Sequence, residues 1–137
     1  MSPRIKIKKE DILHTAVDIV RRKGEGALNA RDLAAALNCS TQPIFSNYAT
    51  MDLLRQAVVE EAYALCQSYI QQEQERGEFP PYKASGMAYI RFAKEEKDLF
   101  RLLFLPNRSY GKSMYEILNG SKGIVVAEIK SVENHPE

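Results

Sequence analysis

With 137 residues, of which 45% are hydrophobic and 27% charged, the chain suits one domain, or one small unit plus an incomplete second; its composition argues against both disorder and a disulfide scaffold. The formal net charge of +1 hides an uneven spread: residues 1–56 hold nine Lys or Arg against six Asp or Glu, and residues 57–137 hold ten against twelve. The chain has two cysteines, no secretory-signal pattern and no apolar run near the ~20 residues that span a bilayer, so the expected location is a reducing cytoplasm without membrane insertion.

The first nine residues carry Arg4, Lys6, Lys8 and Lys9 with no acid, as expected of an arm that meets a polyanion; a solvated terminus is the competing reading. From Lys9 to Lys23, Ile12, Leu13, Ala16, Val17, Ile19 and Val20 recur at helical spacing, and Gly24 follows a basic last turn. Asn29 is placed to cap a second helix, with Asp32 three residues on. Leu33, Ala34, Ala36 and Leu37 form its expected buried side, and Asn38 can take the left-handed conformation that ends it. A third, short helix follows in "STQPIFSNY". A long helix then spans about Thr50 to Arg76, with Leu53, Leu54, Ala57, Val58, Ala62, Leu65, Cys66, Tyr69 and Ile70 on its apolar side. Gly77, Pro80 and Pro81 end it, and Pro81 opens another helix to about Glu96 with Met87, Ile90 and Phe92 among its apolar residues. Asp98 is placed to cap "LFRLLFL", which Pro106 closes. Beyond it, an amphipathic segment around Met114 to Leu118 precedes "GIVVAEIKSV", which fits strand and helix alike. The expected fold class is all-α: a three-helix unit over 1–49, joined by the long helix to a second helical unit over 50–137.

The second and third helices, separated by Asn38, Cys39 and a capping Ser40, make the spacing of a helix-turn-helix, whose third helix enters the DNA major groove. With Ser40 as N-cap, Pro43 falls at N3, where a missing N–H breaks no helical bond. Taking Ile44 as the centre of the buried face puts Tyr48 beside it and Gln42 and Ser46 nearly opposite. Pro43 and Asn47 fall on one flank, Thr41 and Phe45 on the other. Outward amide and hydroxyl groups suit base reading, because Gln pairs bidentately with adenine and Ser or Thr bonds several base edges.

The order Ile12 to Ala16, Lys23-Gly24, "LNARDLAAALNCS", "TQPIFSNY" and "MDLL" resembles the tetracycline-repressor (TetR) family of transcriptional regulators over about residues 9–56. "YIRFAKEEKDLFRLLF" is more weakly similar to the middle of some members' regulatory domains. The resemblance implies a DNA-binding domain over 1–49, a helical regulatory and dimerisation domain over 50–137, and a ligand-responsive regulator of the repressor class that binds a palindromic double-stranded DNA operator as a homodimer. Phe45 and Met51 stand where the family commonly has a phosphate-binding Tyr and Lys, and Tyr48 and Asn38 replace its usual Phe and Gly. Backbone contacts are therefore expected from Asn29, Arg31, Asn47 and the arm residues Lys6 and Lys8. For a small-molecule effector of apolar or aromatic character, the expected lining is Tyr63, Tyr69, Met87, Tyr89, Phe92, Phe100 and Phe104.

No cofactor is expected. His14 and His135 have no second ligand at metal spacing, and no phosphate loop, nucleophile elbow or paired-carboxylate pattern supports catalysis. Cys39, just ahead of a helix, is first a small turn residue and only second a redox-sensitive thiol; Cys66 belongs on the apolar stripe. The competing functional reading is a helical protein-interaction module, or a shortened regulator without independent operator binding.

Overall fold

The computed structural model describes residues 6–105, in which six α-helices and no strand occur. The expected features after Pro106, including Met114 to Leu118 and "GIVVAEIKSV", lie outside the described residues, as does Arg4. The helices are α1 (Lys9–Lys23), α2 (Ala30–Ala36), α3 (Gln42–Asn47), α4 (Met51–Arg76), α5 (Pro81–Glu95) and α6 (Lys97–Phe104), with a 3-10 turn at Glu25–Ala27.

Most helix ends are set by local chemistry. The Lys8 amide donates to Asp11 Oδ2 at 3.1 Å, and α1 stops at Gly24, whose φ of +89° suits a residue without Cβ and whose N–H donates to Val20 O at 2.8 Å. Asn29 Oδ1 accepts the Asp32 amide at 2.8 Å, closing the first turn of α2. At its other end Asn38 has φ +56°, its amide bonds Ala35 O, and the Cys39 amide bonds Ala34 O. Those two bonds satisfy orphan carbonyls in the Schellman pattern and turn the chain sharply into α3. Thr50 Oγ1 caps α4 by accepting the Leu53 amide at 3.2 Å, and Gly77 ends it in the left-handed conformation. With 26 residues, α4 is ~39 Å long at 1.5 Å per residue.

Three local expectations are corrected. The first helical bond of α3 runs from the Phe45 amide to Thr41 O, so Thr41 rather than Ser40 is the N-cap and Pro43 sits at N2. Its nitrogen is an orphan position either way, which is why the register shifts at no cost. Glu96, not Asp98, precedes α6, and Asp98 lies inside the first turn. Ala36, Leu53, Met87 and Ile90 face outward rather than into the core, because no helix of residues 6–105 covers those faces.

Buried side chains form one cluster that runs from Ile12 to Leu103 and continues across residues 49 and 50. Helix α4 is its spine: α5 packs along it, and α1 and α6 each contact it and one another. Ile12, Ala16 and Val20 of α1, Leu33 of α2, Ile44 of α3 and Leu54 of α4 belong to this cluster, as do Phe92 of α5 and Leu99 and Leu103 of α6. Burying such aliphatic and aromatic side chains contributes ~1.5–3 kcal/mol each. One polar clamp joins distant parts of the chain: Arg21 of α1 donates from Nε to Glu96 Oε1 at 2.9 Å and from Nη2 to Glu96 Oε2. This fork geometry holds α1 against the α5–α6 corner.

Candidate nucleic-acid interface

Helix α3 is six residues long and depends on its contacts for stability, since isolated helices this short do not persist. Ile44 is fully buried and Tyr48 is 7% exposed, while Gln42 and Ser46 lie on the solvent side, matching the face assignment made from the sequence. Lys9 of α1 sits over the Tyr48 ring at 4.9 Å, which ties the basic N-terminal stretch to the end of α3.

The outward groups differ in readiness. Ser46 Oγ donates back to Gln42 O at 2.9 Å and Asn47 Nδ2 donates to Pro43 O at 2.8 Å, so each has spent a donor on the helix itself. The Gln42 side-chain amide has no hydrogen-bond partner among the described residues and keeps both donor and acceptor available. Pro43 and Asn47 are half-buried on one flank; Thr41 and Phe45 are exposed on the other, Phe45 by 43%.

A concave surface of about 1100 Å³ runs between residues 6–7, the turn after α2 and the open side of α3. It brings together five of the expected DNA-contacting residues: Lys6, Gln42, Pro43, Ser46 and Asn47. Thr41 and Phe45 flank it, whereas Asn29, Arg31 and Lys8 stand outside it on exposed positions. The Asn29 side chain is occupied: besides capping, its Nδ2 donates to Asp32 Oδ2 at 3.0 Å. Arg31 keeps its charge free of any ion pair among the described residues. Ile7, Cys39 and Ser40 also line the concavity, and none of them is among the DNA contacts expected from the sequence.

The expected effector residues divide. Tyr69 meets Phe92 edge-on at 5.3 Å between centroids, Phe92 meets Phe100 at 6.5 Å, Phe100 meets Phe104 at 4.9 Å and Phe104 meets Tyr89 at 5.7 Å. Tyr63 instead lines a separate groove beside Leu13, and Met87 points outward from α5 at 37% exposure. Next to the aromatic series lies an ionic group not foreseen from sequence. Glu73, 5% exposed, accepts from Arg76 at 3.2 Å and from Arg91 at 3.4 Å; Arg91 also bonds Glu95 at 2.8 Å and lies over the Tyr69 ring at 4.9 Å. The Glu73–Arg76 and Arg91–Glu95 spacings are visible in the sequence; the bond between Arg91 and Glu73, which joins α5 to α4, is not.

These phenols and carboxylates set a pH profile. Burial, then the nearby carboxylates Glu10 and Glu61, pushes Tyr48 above the ordinary tyrosine value of 10. Burial, then the bond to Glu95, does the same to Tyr69. The Arg91 hydrogen bond, followed by that of Tyr69, holds Glu95 below its ordinary 4.5. A raised phenol stabilises the fold fully below pH 10 and loses that contribution as pH rises through its folded pKa; a depressed carboxylate loses its contribution as pH falls below 4.5. The thermal midpoint is therefore expected to hold between these limits and drop on both sides, with Tyr48→Phe flattening the alkaline limb in a melting series above pH 10.

Fold and site define an all-α protein with a polar, partly basic concavity around a short exposed helix. The sequence matches no protein-family model, and no curated protein matches it. Among the described residues no helix is long and apolar enough to cross a membrane, and no group of His, Cys, Asp or Glu is arranged to hold a metal ion.

Proposed function

We propose that the chain is a DNA-binding transcriptional regulator of the TetR type, in which α2, the Asn38 turn and α3 act as a helix-turn-helix and α3 lies in the major groove. The observation that carries this reading is the concavity that gathers Lys6, Gln42, Pro43, Ser46 and Asn47, with Ile44 and Tyr48 anchoring the same helix from behind. Gln42 is the principal base reader, Ser46 and Asn47 assist once their intrahelical bonds open, and Lys6 neutralises a phosphate. The resemblance of residues 9–56 to that family supports a repressor acting as a homodimer on a palindromic operator. Helix α4 starts beside α3 at Met51 and runs into the contacts with α5 around Glu73, so a tilt of α4 displaces the reading heads from the ~34 Å separation that two half-sites demand. An apolar or aromatic effector near Tyr69, Phe92, Phe100 and Phe104 relieves repression by binding the displaced conformation better.

Selection of duplexes from a random-sequence pool tests this directly. The expected result is a palindromic consensus bound with an affinity that falls as salt rises. Gln42→Ala should reduce discrimination at one position per half-site by ~1–3 kcal/mol while leaving nonspecific affinity nearly intact. Lys6→Ala should weaken all duplexes alike and lower the salt slope by about one. Absence of salt-dependent binding to any duplex would favour the protein-interaction reading, which the outward-facing Met87 and Ile90 also suit.

A further inference from the structure

We propose that the outer face of α5 in one copy of the chain docks into the groove between α1 and α4 of a second copy. Lys83, Met87, Ile90 and Lys94 fall within an arc of about 60° at 3.6 residues per turn, opposite the fully buried Phe92. Met87 is 37% and Ile90 52% exposed, so the face is an apolar ridge between two lysines. Neither lysine has a salt bridge among the described residues; Lys83 lies over the Phe79 ring at 5.2 Å, and the neighbouring Arg91 is already taken by Glu73 and Glu95.

The second surface has the complementary chemistry. A groove of about 470 Å³ lies against α4, with Leu13 of α1 as its wall, Ala57 and Ala64 as its floor and Glu60 and Glu61 along it. Both glutamates are exposed and without a salt bridge among the described residues. Small alanines beside the groove leave room for the bulky Met87 and Ile90, and the Glu60 and Glu61 carboxylates offer acidic partners to the basic ends of the ridge. A lysine-flanked apolar ridge and a glutamate-lined groove on one chain favour a second copy over an unrelated partner. Leu53, 46% exposed, extends the apolar side of α4 beyond the groove.

This inference rests on the homodimer part of the proposed function and not on DNA reading. Its test is sedimentation equilibrium of the full chain at low and high salt. Wild type is expected to self-associate, more weakly at high salt. Lys94→Glu and Glu60→Lys are each expected to weaken association by about tenfold, because each sets like charges against one another. An equimolar mixture of the two variants should recover it: the reversed ridge meets the reversed groove, and the two unaltered surfaces meet each other. Circular dichroism matching wild type keeps misfolding apart from lost association. A wild type that stays monomeric, variants that associate like wild type, or a mixture without recovery would each overturn the interface. A monomeric chain that still selects a half-site duplex overturns the interface and leaves the DNA reading standing; a salt-sensitive dimer that binds no duplex does the reverse.

Discussion

Phe92→Ala is expected to destabilise the fold by ~3–5 kcal/mol, the largest effect of any single truncation in the α4–α5–α6 region. Phe92 is fully buried, its ring meets Tyr69 edge-on and lies against Phe100, and it sits on the α5 face that packs along α4. Removing it deletes the apolar surface of a ring and leaves a void bounded by aromatic side chains that are themselves in contact and cannot all move inward. The chain has no tryptophan, so urea unfolding followed by far-UV circular dichroism is the suitable measurement. Ile90→Ala on the same helix, half-exposed, is the matched control and should change the midpoint little at protein concentrations where the chain is monomeric. A loss under ~1 kcal/mol for Phe92→Ala would mean that the aromatic series closes over the gap.

Ile44→Ala is expected to cost ~2–5 kcal/mol, with the loss falling first on α3. Helix α3 has six residues, and among them only Ile44 is buried; Tyr48 just after its end supplies the other anchor. The helix cannot persist without tertiary contacts, so the truncation frees α3 to open locally before the rest of the fold unfolds. Amide hydrogen exchange over residues 42–48 should accelerate more than exchange in α5, and duplex affinity should fall further than a Gln42→Ala change produces. Unaltered exchange over 42–48 would show that α3 is held by something other than Ile44.

Much of the candidate site was legible because its cues are short-range. Helix phase around Pro43 put Ile44 and Tyr48 inside and Gln42 and Ser46 outside, and all four positions agree with the structure. The cap of α3 is Thr41, one residue later than expected, because proline is tolerated at N2 as readily as at N3 and Ser40 and Thr41 are equivalent on sequence grounds. The residues expected to line an effector site are the least separable by sequence. Aromatic residues at helical spacing signal burial, not a cavity, and they gave no means of separating Tyr63 and Met87 from the five rings that pack together.

Local sequence alone accounts for the helices and for most of their ends, the starts of α3 and α6 excepted. Gly24, Asn29, Asn38, Thr50 and Gly77 act through bonds to residues within five positions, and such bonds form the same way whatever packs around them. It also determined that α3 would bury one side and offer amide and hydroxyl groups on the other, since both follow from helical geometry alone. Only the tertiary structure decided which apolar residues remain uncovered. Leu53, Met87 and Ile90 carry the same hydrophobic signal as Leu54 and Phe92 but face no helix of residues 6–105. It also decided the Arg21–Glu96 clamp across 75 residues, the burial of Glu73 between two arginines, and the approach of Lys6 to α3. These are properties of pairs of elements. Their energies depend on how helices are stacked, which no local spacing of residues encodes.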